Sequence, residues 1–180
     1  TAIVEYGEVI RISKKDAKAY ANRAIAHFKL DDYDAAITDY SEAIRFHPKN
    51  AKYYTSRGLA YAKKRQTDKA IADFSEAIRL EPRTVEAYVS RGIARAAKGN
   101  REGAIEDHTK ALELDPKYAK AYYNRAQVFG LMGQLERALA DYSKLIEIVS
   151  EDASAYCHRG VVYTRKKELD MAVADFGKSI

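Results

Sequence analysis

Residues 51–84 read AKYYTSRGLAYAKKRQTDKAIADFSEAIRLEPRT. The apolar residues of this stretch fall into two groups, each with the spacing expected for one face of an α-helix. The first group is Tyr54, Leu59, Ala60 and Tyr61, and the second is Ala70, Ile71, Phe74, Ala77 and Ile78. Pro82 follows the second group, and proline is common just after a helix end. The stretch therefore predicts two helices joined by a short turn.

The residues that define this pattern recur every 34 positions along the chain. The tyrosine recurs as Tyr20, Tyr54, Tyr88, Tyr122 and Tyr156, and the alanine of the second helix as Ala36, Ala70, Ala104, Ala138 and Ala172. An arginine follows each of these tyrosines by three positions, as Arg23, Arg57, Arg91, Arg125 and Arg159, and an aspartate follows each alanine by three, as Asp39, Asp73, Asp107, Asp141 and Asp175. A period of this length is typical of stacked repeats, so the chain is predicted to be a linear array of helix pairs.

Two kinds of end signal delimit the predicted helices. Glycine occupies the turn inside two of the repeats, at Gly99 and Gly133, and suits a left-handed residue that ends the first helix. Residues with capping side chains precede four of the first helices, as Asp16, Asn50, Thr84 and Asp152. Both signals support a unit made of one helical hairpin.

This unit resembles the tetratricopeptide repeat (TPR), a 34-residue helix–turn–helix. The residues that carry the resemblance are Tyr54, Arg57-Gly58, Tyr61, Ala70, Phe74, Ala77 and Pro82. The chain departs from the family pattern where arginine replaces the usual leucine, where His108 replaces the second-helix aromatic, and where Leu145 takes a small-residue position. The resemblance implies an all-α fold, a right-handed superhelical solenoid of antiparallel helix pairs.

The repeat columns divide the chain into six segments. These are the second helix of a preceding partial repeat at 1–16, four repeats at 17–50, 51–84, 85–118 and 119–152, and a truncated repeat at 153–180. The first segment is assigned to a second helix because Ala2, Ile3 and Tyr6 align with Ala36, Ile37 and Tyr40. We therefore expect this sequence to be a fragment of a longer protein.

Composition excludes several classes of protein. No run approaches the roughly 18 apolar residues needed to span a bilayer, so a membrane span is not expected. The single cysteine, Cys157, cannot form an internal disulfide and favours a reducing compartment such as the cytoplasm. The formal net charge is +5, and its excess lies around Lys63-Lys64-Arg65 and Arg165-Lys166-Lys167. Balanced charge elsewhere predicts at most weak, non-specific nucleic-acid binding.

The sequence contains no recognisable catalytic or metal-binding pattern. The four histidines, His27, His47, His108 and His158, occupy different columns and are not expected to converge on a metal ion. Phosphate-binding, nucleophile-elbow and zinc-protease motifs are absent. We therefore predict no enzymatic activity, no cofactor and no metal, and we expect His108 to serve as an aromatic substitute in the packing between helices.

The recurring arginines and aspartates are predicted to be structural. They appear once in each repeat, and a catalytic pair would not be needed five times. We expect each guanidinium to lie partly buried between helices, to pair with an aspartate and to pack its stem on the tyrosine. The sequence leaves open whether the pair belongs to one repeat or joins two neighbouring repeats.

The family resemblance also implies that the first helix of each repeat lines a concave groove. The groove residues carried over to this sequence are Lys18, Asn22, Ile25, Lys52, Thr55, Leu59, Val89, Ile93, Tyr123, Asn124 and Gln127, followed in the last segment by Cys157, His158 and Val161. A mostly apolar wall with scattered amide and hydroxyl groups suits a peptide or protein segment. The alternative is that Ile25, Leu59 and Ile93 only pack within the fold. The predicted function is a protein-interaction scaffold with a partner of unknown identity.

Two other functions remain open at this point. The repeats could be a regulatory or targeting array of a larger enzyme, or of a secretion or co-chaperone protein. Some family members hold the acidic tails of chaperones through a clamp of Lys, Asn and Arg residues. Asn22 and Asn124 match its central asparagine, but Val89, Ile93 and His158 cannot replace the flanking charges around Asn124. Chaperone-tail binding is therefore disfavoured.

The two ends of the sequence carry apolar residues that lack a neighbouring repeat to cover them. Residues 1–16 contain Ile3, Val9, Ile10 and Ile12, and the last segment ends at Ile180. Repeats bury their apolar faces against neighbouring repeats. We therefore expect either further repeats in the parent protein or end-to-end self-association, unless Val173, Phe176 and Ile180 fold back on the first helix of the last segment.

Overall fold

A computed structural model of the chain describes residues 2–179, and within this range the chain forms eleven α-helices and no β-strand. The helices are α1 (Ala2–Ile12), α2 (Ala17–Lys29), α3 (Tyr33–Phe46), α4 (Ala51–Lys63), α5 (Thr67–Leu80), α6 (Val85–Ala97), α7 (Arg101–Leu114), α8 (Ala119–Leu131), α9 (Leu135–Ile148), α10 (Ala153–Lys166) and α11 (Leu169–Lys178). Thr1 and Ile180, which belong to the first and last predicted segments, lie outside the described residues. The predicted all-α fold of helix pairs is confirmed.

The contacts between helices divide the chain into two compact units, Thr1–Ala94 and Arg95–Ile180, so that the boundary falls within α6. In the first unit, α1 contacts α2, and the pairs α2/α3 and α4/α5 form hairpins that meet through α3 and α4. The start of α6 joins this unit because Ala87 packs with Ala51 and Ala77, and Ala94 packs with Phe74. Within this unit, each helix thus contacts its neighbours in sequence.

The second unit repeats this arrangement. Helix α7 contacts α8, the pairs α8/α9 and α10/α11 form hairpins, and α9 contacts α10. Its core includes Ala126, Phe129, Tyr142, Leu145 and Val162. Leu145, which departs from the small residue of the family pattern, is almost fully buried in this core. The larger side chain is therefore accommodated between α9 and its neighbours.

The alanine and glycine columns allow the helices to approach closely. Ala24, Ala60, Ala126 and the second-helix alanines Ala36, Ala70, Ala104 and Ala138 are fully buried. Gly58 lies against the ring of Phe74, and a Cβ atom at this glycine would come within 2.8 Å of Cε1 of that ring. Gly160 lies against Phe176 with the same 2.8 Å separation. In these two hairpins, the phenylalanine ring fills the space that a larger side chain at the glycine would occupy.

The turn inside each hairpin has one residue in the left-handed conformation. Gly99 and Gly133 have φ values of 84° and 73°, as their sequence positions predict. The equivalent residues of the other hairpins are not glycine: Asp31, Arg65 and Lys167 have φ values of 59°, 57° and 65°. Left-handed backbone costs about 1–2 kcal/mol for a residue with a Cβ atom. Three of the five turns are therefore strained at the same position.

Three of the predicted N-caps are observed. The Asp16 carboxylate accepts hydrogen bonds from the backbone N–H groups of Lys18 and Ala19, and Asp152 accepts one from that of Ala155. The side chain of Asn50 accepts a hydrogen bond from the backbone N–H group of Lys52. In contrast, the hydroxyl of Thr84 donates to the carboxylate of Glu81.

Among residues 2–179, no helix combines the length and the apolar character that crossing a bilayer requires.

Candidate functional site

Four arginines of the repeat column bind the aspartate of the same hairpin through two parallel hydrogen bonds. Arg57 donates from Nε to Oδ2 of Asp73 and from Nη2 to Oδ1, both at 2.8 Å. The same geometry joins Arg23 to Asp39, Arg125 to Asp141 and Arg159 to Asp175, with distances of 2.7 or 2.8 Å. The hydrogen bonds to Asp73 raise the pKa of Arg57 above its ordinary value. The aspartates are buried and the guanidinium groups are mostly buried.

These arginines also contact the preceding hairpin. Nη1 of Arg57 donates to the hydroxyl of Ser41 on α3 at 3.0 Å. Equivalent bonds join Arg91 to Ser75, Arg125 to Thr109 and Arg159 to Ser143, at 2.9–3.1 Å. The guanidinium of Arg57 lies 5.8 Å from the centroid of the Tyr54 ring, within the range of a cation–π contact. One arginine therefore joins its own hairpin to the preceding one.

This second contact was missed by the sequence reasoning, although its signal is present. Ser41, Ser75, Thr109 and Ser143 form a hydroxyl column with the 34-residue period. The position of this column in α1 is Gly7, at which an added Cβ atom would lie 3.9 Å from Nη1 of Arg23. In the third repeat, Asp107 pairs with Arg95, and 3.0 Å separates Nη1 of Arg95 from Oδ2 of Asp107. The 34-residue pattern of the sequence does not indicate this pair.

In the first unit, the predicted groove positions present three apolar side chains from successive first helices. Ile25 on α2 is 43% exposed, Leu59 on α4 is 41% exposed and Ile93 on α6 is 39% exposed. Core side chains would not retain this much exposed apolar surface. Lys18, Asn22 and Lys52 are also exposed, and Thr55 is half-buried with its hydroxyl donating to the carbonyl of Ala51.

Val89 differs from the other predicted groove residues. Its side chain is 2% exposed and ranks among the largest fully buried side chains. The Val89 side chain packs into the core of the unit, and Ala21 at the equivalent position of α2 is also buried. Val89 therefore presents no surface to a ligand and has to be removed from the groove residues.

The first unit also has two depressions, and neither is lined by Ile25, Leu59 or Ile93. One, of about 350 Å³, is lined by Lys52, Thr55, Ser56, Glu81, Thr84 and Glu86. The other, of about 640 Å³, follows the turn between α3 and α4 and is lined by Phe46, His47, Pro48, Lys49, Asn50, Ala51, Lys52 and Glu81. Both are shallow and contain charges of both signs. Lys52 and Glu81 line both depressions.

In the second unit, the groove positions form a hydrogen-bonded chain between α8 and α10. Nε2 of Gln127 donates to the hydroxyl of Tyr123 at 2.9 Å, and this hydroxyl lies 3.2 Å from Nε2 of His158. Nδ1 of His158 lies 2.7 Å from the carbonyl oxygen of Ser154. The His158 ring stacks on Tyr142, with centroids 6.0 Å apart and planes at 29°. We call Gln127, Tyr123 and His158 the relay.

The relay lies between two depressions. The larger one, of about 360 Å³, is lined by Ala126, Gln127, Gly130, Leu131, Tyr142, His158, Val161, Val162 and Arg165. The smaller one, of about 270 Å³, is lined by Ala119, Lys120, Tyr123, Leu145, Asp152 and Ser154. Asn124, which the resemblance places in the groove, is half-buried and donates from Nδ2 to the carbonyl of Lys120. The sequence placed Tyr123, Gln127 and His158 on this face but did not indicate that they bind one another.

Of the remaining histidines, His47 lines a depression of the first unit, His27 lies beside Asp32 and His108 has a packing role. His108 is fully buried, and neither of its ring nitrogens has a hydrogen-bond partner. Burial and the charge of Arg125 lower the pKa of His108 from 6.5 to about 4, so the ring is neutral near pH 7. Among residues 2–179, no three His, Cys, Asp or Glu side chains are grouped as metal ligands would be.

Comparison with known proteins agrees with this geometry. The sequence profile of the TPR repeat matches residues 26–65, 92–133 and 131–167, and that of the tetratricopeptide repeat matches 51–83. No curated protein matches the chain in sequence. Among solved structures, a MamA protein is 28% identical with a TM-score of 0.82, covering 91% of this chain and 89% of its own.

Two further solved structures share the fold at lower identity. MamA from Desulfovibrio magneticus RS-1 is 21% identical with a TM-score of 0.84, covering 91% of this chain and 92% of its own. YrrB, described as a TPR protein with an unusual peptide-binding site, is 22% identical with a TM-score of 0.78, covering 97% and 90%. Because the repeat profiles match well over half of the residues, the chain belongs to the tetratricopeptide repeat family.

Proposed function

We propose that this TPR chain is a non-catalytic scaffold that binds a peptide or protein segment along the face formed by its first helices. The observation that carries the proposal is the exposed apolar column Ile25, Leu59 and Ile93 in the first unit. Covering exposed apolar surface stabilises a complex by about 25 cal/mol per Å². The same three positions would be expected to be polar on a surface that only faces water.

The surroundings of this column support a polypeptide as the partner. Exposed Lys18, Asn22 and Lys52 and half-buried Thr55 add hydrogen-bonding groups next to the apolar residues. A polypeptide offers both apolar side chains and regularly spaced polar groups. YrrB is described as having a peptide-binding site, and its backbone is similar, although the likeness at 22% identity is one of fold. A TPR array that regulates or targets an attached enzyme would use the same face.

The test is a selection of peptides followed by substitutions on the face. Dodecapeptides would be selected from a random phage library against the wild-type chain, synthesised with a fluorescent label and titrated by anisotropy. Leu59→Glu should weaken their binding at least tenfold while leaving the thermal melting temperature nearly unchanged. Leu169→Glu is the matched control, because Leu169 on α11 is an exposed apolar residue that lines none of the depressions described above.

Two results would contradict the proposal. One is the absence of any selected peptide. The other is a large loss of stability in Leu59→Glu, measured by circular dichroism, together with unchanged peptide affinity for the folded fraction. The second result would mean that the column is part of the packing.

Nucleic-acid binding has less support because part of the local positive charge is paired. Lys64 forms an ion pair with Asp34, and Lys166 pairs with Glu168 at 2.7 Å and with Glu136 at 3.5 Å. Any binding of DNA or RNA should be weak and should vanish in about 200 mM salt, because it would depend on counterion release. Micromolar binding that persists at that salt concentration would favour a nucleic-acid function.

Self-association through the terminal helices is a second proposal about partners. Val4 and Ile12 on α1 and Val173 on α11 are largely exposed. Phe176, in contrast, is half-buried against Gly160, so α11 does fold back in part. Covering the exposed side chains would favour association of copies. Light scattering over a concentration series should then show a rising mean mass, and a constant monomer mass would exclude it.

A further inference from the structure

Helices α1 and α11 carry the same kinds of residue at four equivalent positions of the repeat. In each helix these positions hold a β-branched residue, an aromatic residue, a glycine and an isoleucine, at a spacing that places them on one helix face. They are Ile3, Tyr6, Gly7 and Ile10 in α1, and Val173, Phe176, Gly177 and Ile180 in α11. The four residues of α1 are its half-buried ones, and the helix that α1 contacts is α2. The sequence of α11 therefore repeats the side of α1 that α2 covers.

The matching side of α11 is open. Val173 is 70% exposed, and within residues 2–179 no other helix comes within 4 Å of a Cβ atom added at Gly177. In interior second helices, the aliphatic residue at the Val173 position is half-buried. Ile71 on α5, for example, packs against a cluster that includes Ala94 on the following first helix. The open side of α11 thus has the composition of a surface that receives a first helix.

The arginine column indicates which first helix suits this surface. Four of the five arginines donate from Nη1 to a hydroxyl of the preceding second helix, namely that of Ser41, Ser75, Thr109 or Ser143. Arg23 on α2 instead faces Gly7, where an added Cβ atom would lie 3.9 Å from its Nη1. Gly177 occupies the same column position in α11. Helix α2 is therefore the first helix whose arginine packs against a glycine, which is the residue that α11 offers.

Helix α1 is held on α2 less firmly than other second helices are held in their hairpins. None of its described residues is fully buried, whereas α3 buries five of its residues. Helix α11 is fixed from its other side, where Asp175 binds Arg159 and Phe176 packs on Gly160 of α10. A helix of eleven residues, the length of α1, is marginal alone in water. Replacing α1 by α11 on α2 would thus exchange a loosely held helix for one that its own hairpin holds.

We propose that α11 of one copy of this chain binds α2 of a second copy in the place that α1 occupies within the chain. We call this replacement the helix exchange. It rests on the self-association proposed above, and it specifies the two surfaces and the helix that is displaced. In the new contact, Val173 would take the position of Ile3, and Gly177 that of Gly7 against Arg23. The two surfaces differ, so the contact is head-to-tail and can add further copies.

One substitution made at two equivalent positions tests the helix exchange. Gly177→Ser would offer Arg23 of the second copy the hydroxyl that it lacks, and should raise the association constant about tenfold, as expected for a hydrogen bond to a charged group. Gly7→Ser would offer the same hydroxyl within the chain, and should lower the constant about tenfold. Sedimentation velocity over a concentration series would measure both. Gly177→Ala and Gly7→Ala are the controls, because alanine adds the Cβ atom without the hydroxyl.

A charge on the open side of α11 should prevent the contact. Val173→Glu should lower the association constant by about tenfold or more, because its carboxylate would be buried against α2 without a partner. Ala174→Glu is the matched control, since this position is exposed in the other second helices that follow α1, at Thr38, Ala72, Glu106 and Ala140. Circular dichroism would establish that both variants are folded.

Hydrogen exchange gives a second measurement, because the helix exchange displaces α1. The amides of α1 should lose protection as the protein concentration rises, since the free helix is marginal in water. A contact between chain ends that leaves α1 in place would not change its protection, or would increase it. Protection of α1 that stays constant while the mean mass rises would therefore contradict the displacement.

The outcomes separate this inference from the other proposals. Serine variants that both shift the association constant in the same direction, or that both leave it unchanged, would overturn the helix exchange. Wild-type association in Val173→Glu would overturn it as well, and self-association would then use another surface. A constant monomer mass for the wild type and Gly177→Ser would contradict both the helix exchange and self-association. Peptide binding is tested independently by Leu59→Glu.

Discussion

The two units place different side chains on equivalent positions of the same repeat. In the first unit, Ile25 and Leu59 leave an apolar strip exposed, whereas in the second unit Gln127 at that position is bound into the relay with Tyr123 and His158. The buried two-bond ion pairs are alike in both units, as in Arg57–Asp73 and Arg125–Asp141. The periodic residues therefore determine how the helices pack, while the non-periodic ones make the exposed faces of the two units chemically different.

The largest expected effect tests whether the ion pairs are equivalent in the two units. Asp73→Ala in the first unit and Asp141→Ala in the second should each destabilise the chain by about 3 kcal/mol, because a mostly buried guanidinium loses its partner. Urea unfolding followed by circular dichroism would measure both. A double-mutant cycle of Arg57 with Asp73 should show strong coupling.

The control for these variants is Glu76→Ala, which removes an exposed ion pair with Arg79 on the surface of α5. Exposed pairs contribute little to stability, so this variant should stay close to the wild type. A loss for Asp73→Ala no larger than that for Glu76→Ala would contradict a structural role for the column. Unequal losses for Asp73 and Asp141 would break the equivalence of the units.

The second effect, of similar size, concerns the aromatic column, which holds Phe74 in the first unit and His108 in the second. Burial lowers the pKa of His108 from 6.5 to about 4, so the unfolded chain binds the proton more readily than the folded chain. The resulting stability is fully present above about pH 6.5 and is lost as the pH falls towards 4. One pKa unit corresponds to about 1.4 kcal/mol, so the loss is on the order of 3 kcal/mol.

His108→Phe should remove this part of the acid sensitivity, since phenylalanine does not titrate. Urea unfolding of both proteins at about pH 7.5 and about pH 4.5 would compare their losses. Carboxylates also titrate in this range, so only the difference between the losses of stability of the two proteins reports on His108. Equal losses in the two proteins would show that the ring gains a partner or a water molecule that lowers the cost of its burial.

An intermediate effect tests the close packing of glycine against phenylalanine. Gly58→Ala places a Cβ atom within 2.8 Å of the Phe74 ring, and Gly160→Ala does the same at Phe176. Overpacking of this kind costs roughly 1–3 kcal/mol, which exceeds the gain in helix propensity from alanine. Thermal melting should show a lower midpoint for both variants.

Gly177→Ala provides the matched control, because within residues 2–179 no side chain outside its immediate neighbours and no other helix lies within 4 Å of a Cβ at this glycine near the end of α11. It should be neutral or slightly stabilising. If Gly58→Ala were also stabilising, the Phe74 ring would have room to move, and the glycine column would not be required for packing.

The smallest effect concerns the strained turns. Arg65→Gly in the first unit and Lys167→Gly in the second should each stabilise the chain by up to about 1 kcal/mol, since glycine adopts positive φ without a steric cost. Gly99→Ala should destabilise the chain, because alanine does not readily adopt the positive φ of this residue. Denaturant midpoints would measure all three, and a loss of stability in Arg65→Gly would mean that its side chain makes contacts worth more than the strain.

The fold was predictable because the residues that pack the helices recur at fixed positions of each repeat. Five tyrosines, arginines and aspartates in phase indicate a helix pair more strongly than any single segment could, and Gly99 and Gly133 identify the turn. Arg65 and Lys167 gave no such signal, because their side chains are not typical of left-handed backbone, whereas aspartate, as at Asp31, adopts it occasionally. The hydrogen bonds of the turn itself hold this conformation, as where the backbone N–H group of Gln66 donates to the carbonyl of Tyr61.

The proposed binding face was less predictable than the fold. Ile25, Leu59 and Ile93 were placed on the surface by the family resemblance, but the same reasoning included Val89, which is buried. The sequence cannot show which rotamer a side chain adopts. The bond between Tyr123 and His158 joins residues 35 positions apart and depends on two such choices. The unusual presence of Tyr and His at positions that are small or amide elsewhere was the only signal.

The arginine that joins three helices has a consequence for how the repeats unfold. Arg57 binds Asp73 within its own hairpin and Ser41 in the preceding one. In a linear array, intrinsic repeat stability and nearest-neighbour coupling are separate quantities. Here one side chain contributes to both, so a hairpin that opens also loosens the hairpin before it. Native-state hydrogen exchange should therefore show α3, α4 and α5 opening as one cooperative block, with similar protection of their central amides.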